Sequence, residues 1–106
     1  MGSELNPLIE EKRDAVGRLC REHHVLKIEV FGSALTDRFD AQSSDLDFVV
    51  SFGDLSPGES ADAYFGLLEG LQELFHRHIA LVVESAITNP YFLREIAKTR
   101  TLLYAA

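Results

Sequence analysis

Two aspartates and a Gly-Ser pair occur at a spacing that could hold a metal ion and a phosphate chain together. Gly32 and Ser33 follow a hydrophobic segment that ends at Phe31, and Asp45-Leu-Asp47 opens a second hydrophobic segment. Side chains alternate faces along a strand, so Asp45 and Asp47 are predicted to project the same way. Carboxylate oxygens suit Mg²⁺, which keeps waters and substrate phosphates as its other ligands. The segment therefore predicts a site for a divalent cation and a polyphosphate.

The Gly-Ser pair would contribute the phosphate side of that site. Gly32 lets the backbone approach a phosphate closely, because glycine has no side chain. Ser33 can add a hydroxyl and a backbone N–H, and a helical turn after it would aim further N–H groups at the anion. Neither Gly-Ser nor Asp-x-Asp is diagnostic alone, since glycines often form turns and aspartates often begin strands. The interpretation depends on their combination and on their order along the chain.

Hydrophobic periodicity divides the 106 residues into the elements that must position this site. The predicted order is a helix at about 5–23, strands at 25–31 and 45–52, a helix at about 60–76, a strand at 79–83, a helix at about 90–99, and an edge strand or docked tail at 102–104. The first two strands lack an intervening helix, which argues against a wholly parallel sheet. We predict one α+β (α/β) domain, residues 1–106, with a small mixed, mostly antiparallel sheet. Helices would lie mainly on one face, and the other face would carry the aspartates.

Composition limits the environment and the partners. The formal net charge of −7 argues against a nucleic-acid duplex as a standing partner, because phosphate binding needs a basic surface. No apolar run approaches the roughly 20 residues of a membrane span, and the N-terminus lacks the regions of a signal peptide. The single cysteine, Cys20, excludes an internal disulfide and is expected to be a buried structural thiol. We expect a cytoplasmic protein without membrane association.

Residues 28–50 resemble the minimal nucleotidyltransferases of the DNA polymerase β-like superfamily, whose signature is Gly-Ser, a spacer and Asp-x-Asp. The spacer here, residues 34–44, is eleven residues long, one more than the commonest version. A loop tolerates one added residue easily. The wider order of elements resembles the family over nearly the whole chain, which implies the nucleotidyltransferase fold.

The resemblance also implies roles for the four signature residues. Gly32 and Ser33 would bind the nucleotide phosphates, and Asp45 and Asp47 would bind Mg²⁺ and take part in catalysis. The implied substrate is a nucleoside triphosphate, with ATP expected, and the implied reaction transfers NMP to a protein or a small acceptor.

One position departs from the family pattern. Catalytic members usually carry a third carboxylate on the next long strand, and the matching segment, Ile79-Ala-Leu-Val82, has Ala80 at that place. In the family this carboxylate completes the catalytic metal site, so the two-ion site is expected to be incomplete. Two acids are possible replacements. Glu84 is on the predicted face of Ala80 but about 13 Å away at strand rise, and Glu29 is on the first strand.

The small size constrains the acceptor. Family enzymes with antibiotic, tRNA or DNA substrates carry extra domains, so the acceptor site here is expected on another chain, either a second copy or a different protein. The resemblance implies a small helical HEPN-type protein as toxin, with this chain as its antitoxin. Three hypotheses follow: a Mg²⁺-dependent nucleotidyltransferase, a degenerate member that binds its partner or a nucleotide without turnover, and a structural domain with an incidental Asp-x-Asp.

Other polar residues have weaker functional interpretations. His23 and His24 are expected to form a solvated C-terminal cap of the first helix rather than a metal pair. His76 and His78 are expected to straddle a helix end and a strand start, without further ligands for zinc. Ser85 lacks the His and Asp pattern of a nucleophile. Three basic residues are expected to form a solvated face of the last helix or, alternatively, to contact a phosphate or an acidic partner: Arg94, Lys98 and Arg100.

Overall fold

A computed structural model describes residues 7–32 and 45–106 of the chain. Ser33 and the spacer at 34–44 lie outside the described residues. Along the described chain the elements are α1 (Pro7–Glu11), α2 (Arg13–Glu22), β1 (Val25–Phe31), β2 (Leu46–Phe52), α3 (Pro57–Phe75), β3 (Ile79–Val83), a short 3₁₀ helix (Glu84–Ala86), α4 (Pro90–Ala97) and β4 (Thr101–Ala105). The order of helices and strands is the predicted one.

The strands form a mixed sheet in the order β3-β2-β1-β4. β1 is antiparallel to both of its neighbours, β2 and β4, whereas β3 pairs with β2 in parallel. Residues 102–104 belong to β4, which is an edge strand rather than a docked tail. The predicted mixed, mostly antiparallel sheet is therefore confirmed.

Alternation along the strands sends apolar side chains to both faces of the sheet. One face packs against α1, α2 and α3 in the main core, whose buried members include Ile9, Val16, Ile28, Val30, Phe48, Leu67 and Leu71. The other face holds a smaller buried cluster of Phe31, Val49 and Ile96, where Ile96 comes from α4. Helices thus lie mainly on one face, as predicted, and α4 covers part of the face that carries Asp47.

The first helical segment differs from the prediction of a single helix over about 5–23. α1 and α2 are separate helices, and Lys12 stands between them with a ψ of 6°. The Lys12 N–H donates to the Ile9 carbonyl three residues back, at 3.1 Å, which is the tighter 3₁₀ pattern. Ile9 and Val16 are nevertheless both fully buried. The apolar stripe that gave rise to the prediction therefore continues across a break in the helix.

A capping box sets the start of α3, which begins at Pro57 and not near Ser60 as periodicity predicted. Ser56 Oγ accepts from the Glu59 N–H at 3.3 Å, and Glu59 Oε1 accepts from the Ser56 N–H at 3.0 Å. Pro57 suits the first helical turn because its missing N–H would have no partner there. The helix ends at Phe75, and its C-cap residue His76 has a φ of 55°, in the left-handed region.

α4 begins at the predicted Asn89-Pro90 pair. Asn89 Oδ1 accepts from the N–H groups of Tyr91 and Phe92, at 2.8 and 3.4 Å, and so satisfies two donors at the helix start. The helix ends at Ala97, slightly earlier than predicted. Over residues 7–32 and 45–106, no helix is long and apolar enough to cross a membrane.

Ser56→Ala should lower the free energy of unfolding by about 1 kcal/mol, because the capping bond to α3 is lost. Urea denaturation at neutral pH measures the change. Ser60→Ala is the matched control, since it makes the same substitution inside the helix, and its effect should stay within about 0.5 kcal/mol. Equal losses from the two variants would contradict the role given to the capping box.

Candidate functional site

Gly32 follows β1 directly against the carboxylate of Asp47. A Cβ atom on Gly32 would lie 2.6 Å from Asp47 Oδ2, and the glycine has a φ of +83°. Any other residue would be strained and would clash with this carboxylate. The Gly32 N–H donates to Thr99 Oγ1 at 2.9 Å, so the turn is held from the segment after α4. The close approach expected of Gly32 is thus made to a carboxylate in this structure.

Strand pairing places Asp47 between two neighbours on the α4 face. Phe31 of β1 is its partner on one side, and Ala80 of β3 is its partner on the other. Asp45 immediately precedes β2 and is exposed. Its Oδ2 lies 3.4 Å from Nδ1 of His78, the residue just before β3. The structure therefore brings Gly32, Asp45 and Asp47 together at one end of β1 and β2.

The two carboxylates affect each other electrostatically. Burial raises the pKa of Asp47, the negative charge of Asp45 raises it further, and His78 lowers it. Desolvation and a like charge both disfavour the ionised carboxylate. A divalent cation between Asp45 and Asp47 would stabilise the ionised form of both. The electrostatics of the site therefore suit a cation bound to oxygen ligands.

Ala80 occupies the position that the family pattern gives to a third carboxylate. Its Cα pairs with that of Asp47, and neighbouring strands lie about 4.8 Å apart. An acid at this position would therefore stand beside Asp47. Within the part of the chain that the structure describes, no group of three or more His, Cys, Asp or Glu side chains could hold a metal ion.

Both acids considered as replacements are bound elsewhere, in a network around Arg100. Arg100 Nε donates to Glu29 Oε1 at 3.0 Å, and its Nη2 donates to the same oxygen and to Glu84 Oε2, the latter at 3.2 Å. Lys27 Nζ lies 3.8 Å from Glu29 Oε1 and 3.6 Å from Glu84 Oε1. Ser51 Oγ donates to Glu84 Oε1 at 3.2 Å. Burial alone would raise the pKa of Glu84, but Arg100 and Lys27 bring it below the ordinary value.

Two expectations about this network were wrong. Glu84 does not continue the β3 face of Ala80, because it begins the 3₁₀ helix and turns toward Ser51 and Arg100. Arg100 does not lie on a solvated helix face: it follows α4, and its side chain is only 23% exposed. The sequence does contain a signal for an ion-pair network. Lys27 and Glu29 are charged residues on one face of a strand that is otherwise apolar.

Glu29 does share the face of Asp47. It stands opposite Val49, which makes Asp47 its diagonal neighbour, about 7–8 Å away between backbones. Its carboxylate is held by Arg100 and does not reach the aspartates.

The remaining candidates have structural partners. His23 is the C-cap residue of α2, as expected, and His76 is the C-cap residue of α3, which agrees with its predicted place at a helix end. Lys98 Nζ pairs with Glu95 Oε2 at 2.9 Å on the exposed side of α4. The Arg94 guanidinium lies 5.6 Å from the centroid of the Tyr91 ring. Ser33, expected to bind phosphate, lies outside the described residues, so its role stays a prediction.

Asp47→Asn should raise the melting temperature of the protein at neutral pH when a chelator is present. The folded-state pKa of Asp47 is raised, so ionising it opposes folding above that pKa. The gain should shrink as the pH falls and should vanish below the unfolded value, about 3.9, because both states are then protonated. Thermal melts at neutral and acidic pH measure the difference. The exposed Asp54→Asn serves as control and should change little. A lower melting temperature for Asp47→Asn at neutral pH would contradict the claim that the ionised Asp47 carboxylate destabilises the folded state.

Comparison with known proteins finds solved structures with a similar fold. A solved structure of a minimal nucleotidyltransferase matches with a TM-score of 0.69 and 26% identity, over 94% of this chain and 98% of that chain. A Shewanella oneidensis complex of a tri-AMPylated HEPN toxin with an MNT antitoxin contains a match with a TM-score of 0.63 and 18% identity. The match covers 92% of this chain and 72% of that chain. A toxin–antitoxin complex with AMP-PNP contains a match with a TM-score of 0.65 and 18% identity, over 89% of this chain and 73% of that chain. At these lower identities the likeness is one of fold.

Comparison with curated protein sequences gave no significant match. The family model for the nucleotidyltransferase domain matches residues 12–103, which is most of the chain and includes Gly32, Asp45, Asp47 and Ala80. The mixed sheet and the placement of Asp47 beside Gly32 agree with that assignment. The chain therefore belongs to the nucleotidyltransferase domain family.

Proposed function

We propose that this protein is a Mg²⁺-dependent nucleotidyltransferase that binds a nucleoside triphosphate, expected to be ATP, at Gly32, Ser33, Asp45 and Asp47. It transfers the NMP group to an acceptor on another molecule, a protein or a small compound. The observation that carries the proposal is the close approach of the Asp47 carboxylate to Gly32, where a Cβ atom would lie 2.6 Å from Oδ2, with Asp45 beside them. A phosphate chain bound at this turn would lie next to ligands for its counter-ion.

The residues present fit one divalent cation better than two. Asp45 and Asp47 supply oxygen donors of the kind that Mg²⁺ prefers, and a cation would relieve their mutual repulsion. A second ion would need a ligand at position 80, where alanine supplies none. Glu29 and Glu84 remain bound to Arg100. The site therefore fits the cation that accompanies the nucleotide, and the described residues supply no acid that would complete a second position.

The proposed transfer is a displacement at the α-phosphorus of the triphosphate. An acceptor hydroxyl oxygen forms the new O–P bond, the bond to the pyrophosphate oxygen breaks, and the hydroxyl proton passes to solvent. When bound, Mg²⁺ supplies neutralisation of the phosphate charge. Gly32 keeps side-chain volume away from the phosphates, and Asp45 and Asp47 hold the counter-ion. Because Ala80 cannot accept a proton, we expect slow or partner-dependent turnover.

The proposed acceptor is a hydroxyl on a small helical HEPN-type partner in the cytoplasm, with this chain acting as antitoxin. Two observations on proteins of the same fold support it. One complex holds a HEPN toxin that carries AMP groups together with its MNT antitoxin, and another toxin–antitoxin complex holds AMP-PNP. A second copy of this chain is the alternative source of the acceptor site.

A second candidate function is a module that binds its partner, or a nucleotide, without turnover. Ala80 favours it specifically, because its pairing with Asp47 puts a methyl group where a catalytic acid would stand. Arg100 supports this candidate, since it holds Glu29 and Glu84, the two possible replacement acids, in its own network.

Asp45→Asn and Asp47→Asn should each weaken Mg²⁺-dependent ATP binding by at least about 10–100-fold, because each removes a charged ligand of the cation. Calorimetric titration of ATP with and without Mg²⁺ measures the loss. Asp54→Asn is the matched control, since it removes an exposed carboxylate beyond the opposite end of β2 and should leave the affinity unchanged. If the unaltered protein shows no Mg²⁺-dependent ATP binding, both candidate functions that involve a nucleotide fail.

Ala80→Asp should raise the rate of labelled-nucleotide transfer by about 100-fold, because it restores a carboxylate beside Asp47. The assay follows label from α-³²P-ATP into a co-purified HEPN-type partner. Ala80→Asn is the control of equal size without the charge, and it should not raise the rate. Binding without transfer in the unaltered protein, with transfer in Ala80→Asp, would identify the second candidate function. Equal rates for the two variants would show that a carboxylate at this position is not what limits transfer.

A further inference from the structure

A surface cavity lies at the end of the sheet remote from Asp47. Its volume is about 360 Å³, and its lining includes Phe52, Ala61, Tyr64, Phe65, Val83 and Ser85. We refer to this cavity as the α3 pocket, because the first half of α3 forms one wall. Phe52 is five residues from Asp47 along β2, or about 17 Å at strand rise. The pocket is therefore separate from the candidate nucleotide site.

The α3 wall of the pocket is held in place by specific contacts. Tyr64 Oη donates to the Leu81 carbonyl of β3 at 2.6 Å, which ties α3 to the edge strand. The Tyr64 and Phe65 rings pack edge to face, with centroids 5.1 Å apart. The capping box of Ser56 and Glu59 secures the start of the same helix. A preformed wall lowers the conformational entropy that a ligand must offset on binding.

Phe65 presents a large apolar surface at this pocket. It is 63% exposed although it belongs to a well-anchored helix. It lies three residues after Asp62 and four before Glu69, so both acids flank it on the outer face of α3. An exposed aromatic side chain at a cavity, with a polar surround, is typical of a binding surface.

The surroundings of the α3 pocket are acidic. Three acids, Asp54, Glu59 and Asp62, are exposed, and each is next in sequence to a residue that lines the pocket, which are Gly53, Ser60 and Ala61 respectively. α3 carries four acids and neither lysine nor arginine. The Ser56 hydrogen bonds and, more weakly, the charge of His24 lower the pKa of Glu59, so its carboxylate stays ionised. Arg100, which binds the Glu84 carboxylate next to Ser85 of the pocket, is committed to Glu29 and Glu84.

We propose that the α3 pocket docks a basic protein segment whose aromatic or long aliphatic side chain enters the pocket beside Phe65. The apolar walls fit such an anchor, and the acidic surround fits lysines or arginines on either side of it. A second copy of this chain fits poorly, since its net charge of −7 would face the same acids. The proposal does not depend on nucleotide binding, because the pocket and the aspartates occupy opposite ends of the sheet.

The test uses a short capped peptide in which lysines flank one phenylalanine, titrated into the full ¹⁵N-labelled chain at low salt. Amide shifts should cluster at Gly53, Ala61, Phe65 and Ser85. Replacing the peptide's phenylalanine with alanine should weaken binding about tenfold or more, because the apolar anchor is lost. A peptide with glutamates in place of the lysines should not bind.

Protein variants complete the test. Phe65→Ser and Asp62→Lys should each weaken binding about tenfold, whereas Tyr91→Ser and Asp14→Lys, matched changes elsewhere on the surface, should not. Circular dichroism checks that each variant is folded. Shifts confined to another surface, equal affinity for the glutamate peptide, or shifts at the pocket that depend on protein concentration without peptide would each overturn the proposal. The last result would assign the pocket to a second copy.

Discussion

The antiparallel pairing of β1 with β2 is the constraint on which the core and the candidate site both depend. Its register sets Val30 against Phe48 and Phe31 against Asp47. A slip of one residue would turn Phe48 out of the main core and Asp47 into it, because side chains alternate faces. Burial of one large apolar side chain contributes about 1.5–3 kcal/mol, so several of them hold this register. The orientation of the candidate ligand Asp47 is thus set by the packing of its apolar neighbours.

Charge on the α4 face of the sheet is divided between two places. At one, Arg100 and Lys27 neutralise Glu29 and Glu84, and burial of these groups is compensated by hydrogen bonds. At the other, next to Gly32, the described residues give Asp47 and its neighbour no lysine or arginine partner. Among the described residues, the basic side chain that lies against these two carboxylates is His78, which is 3.4 Å from Asp45. This division supports the proposal of a cation at that end, and it shows that Glu29 and Glu84 are bound to Arg100 instead.

Local sequence signals predicted the fold well where one element decided the outcome. The bounds of β1 and β3 and the start of α4 followed from alternation and from the Asn89-Pro90 pair. The start of α3 was misjudged because the capping box, and not the apolar stripe, ends the preceding loop. The break at Lys12 was missed because Ile9 and the α2 stripe bury the same face on both sides of it. Hydrophobic periodicity reports which face is buried, and backbone hydrogen bonds decide where a helix stops.

Some features of the candidate site follow from the local sequence pattern, and others depend on tertiary contacts. The sequence alone determined that Asp45 and Asp47 follow a glycine turn and that alanine stands at position 80. Only the tertiary structure decided that Ala80 pairs with Asp47, and that Arg100 holds Glu29 and Glu84 away from it. Arg100 is 71 residues from Glu29 and 16 from Glu84. Strand alternation orders side chains within one element, whereas the pairing of charges on different elements is set by how those elements pack.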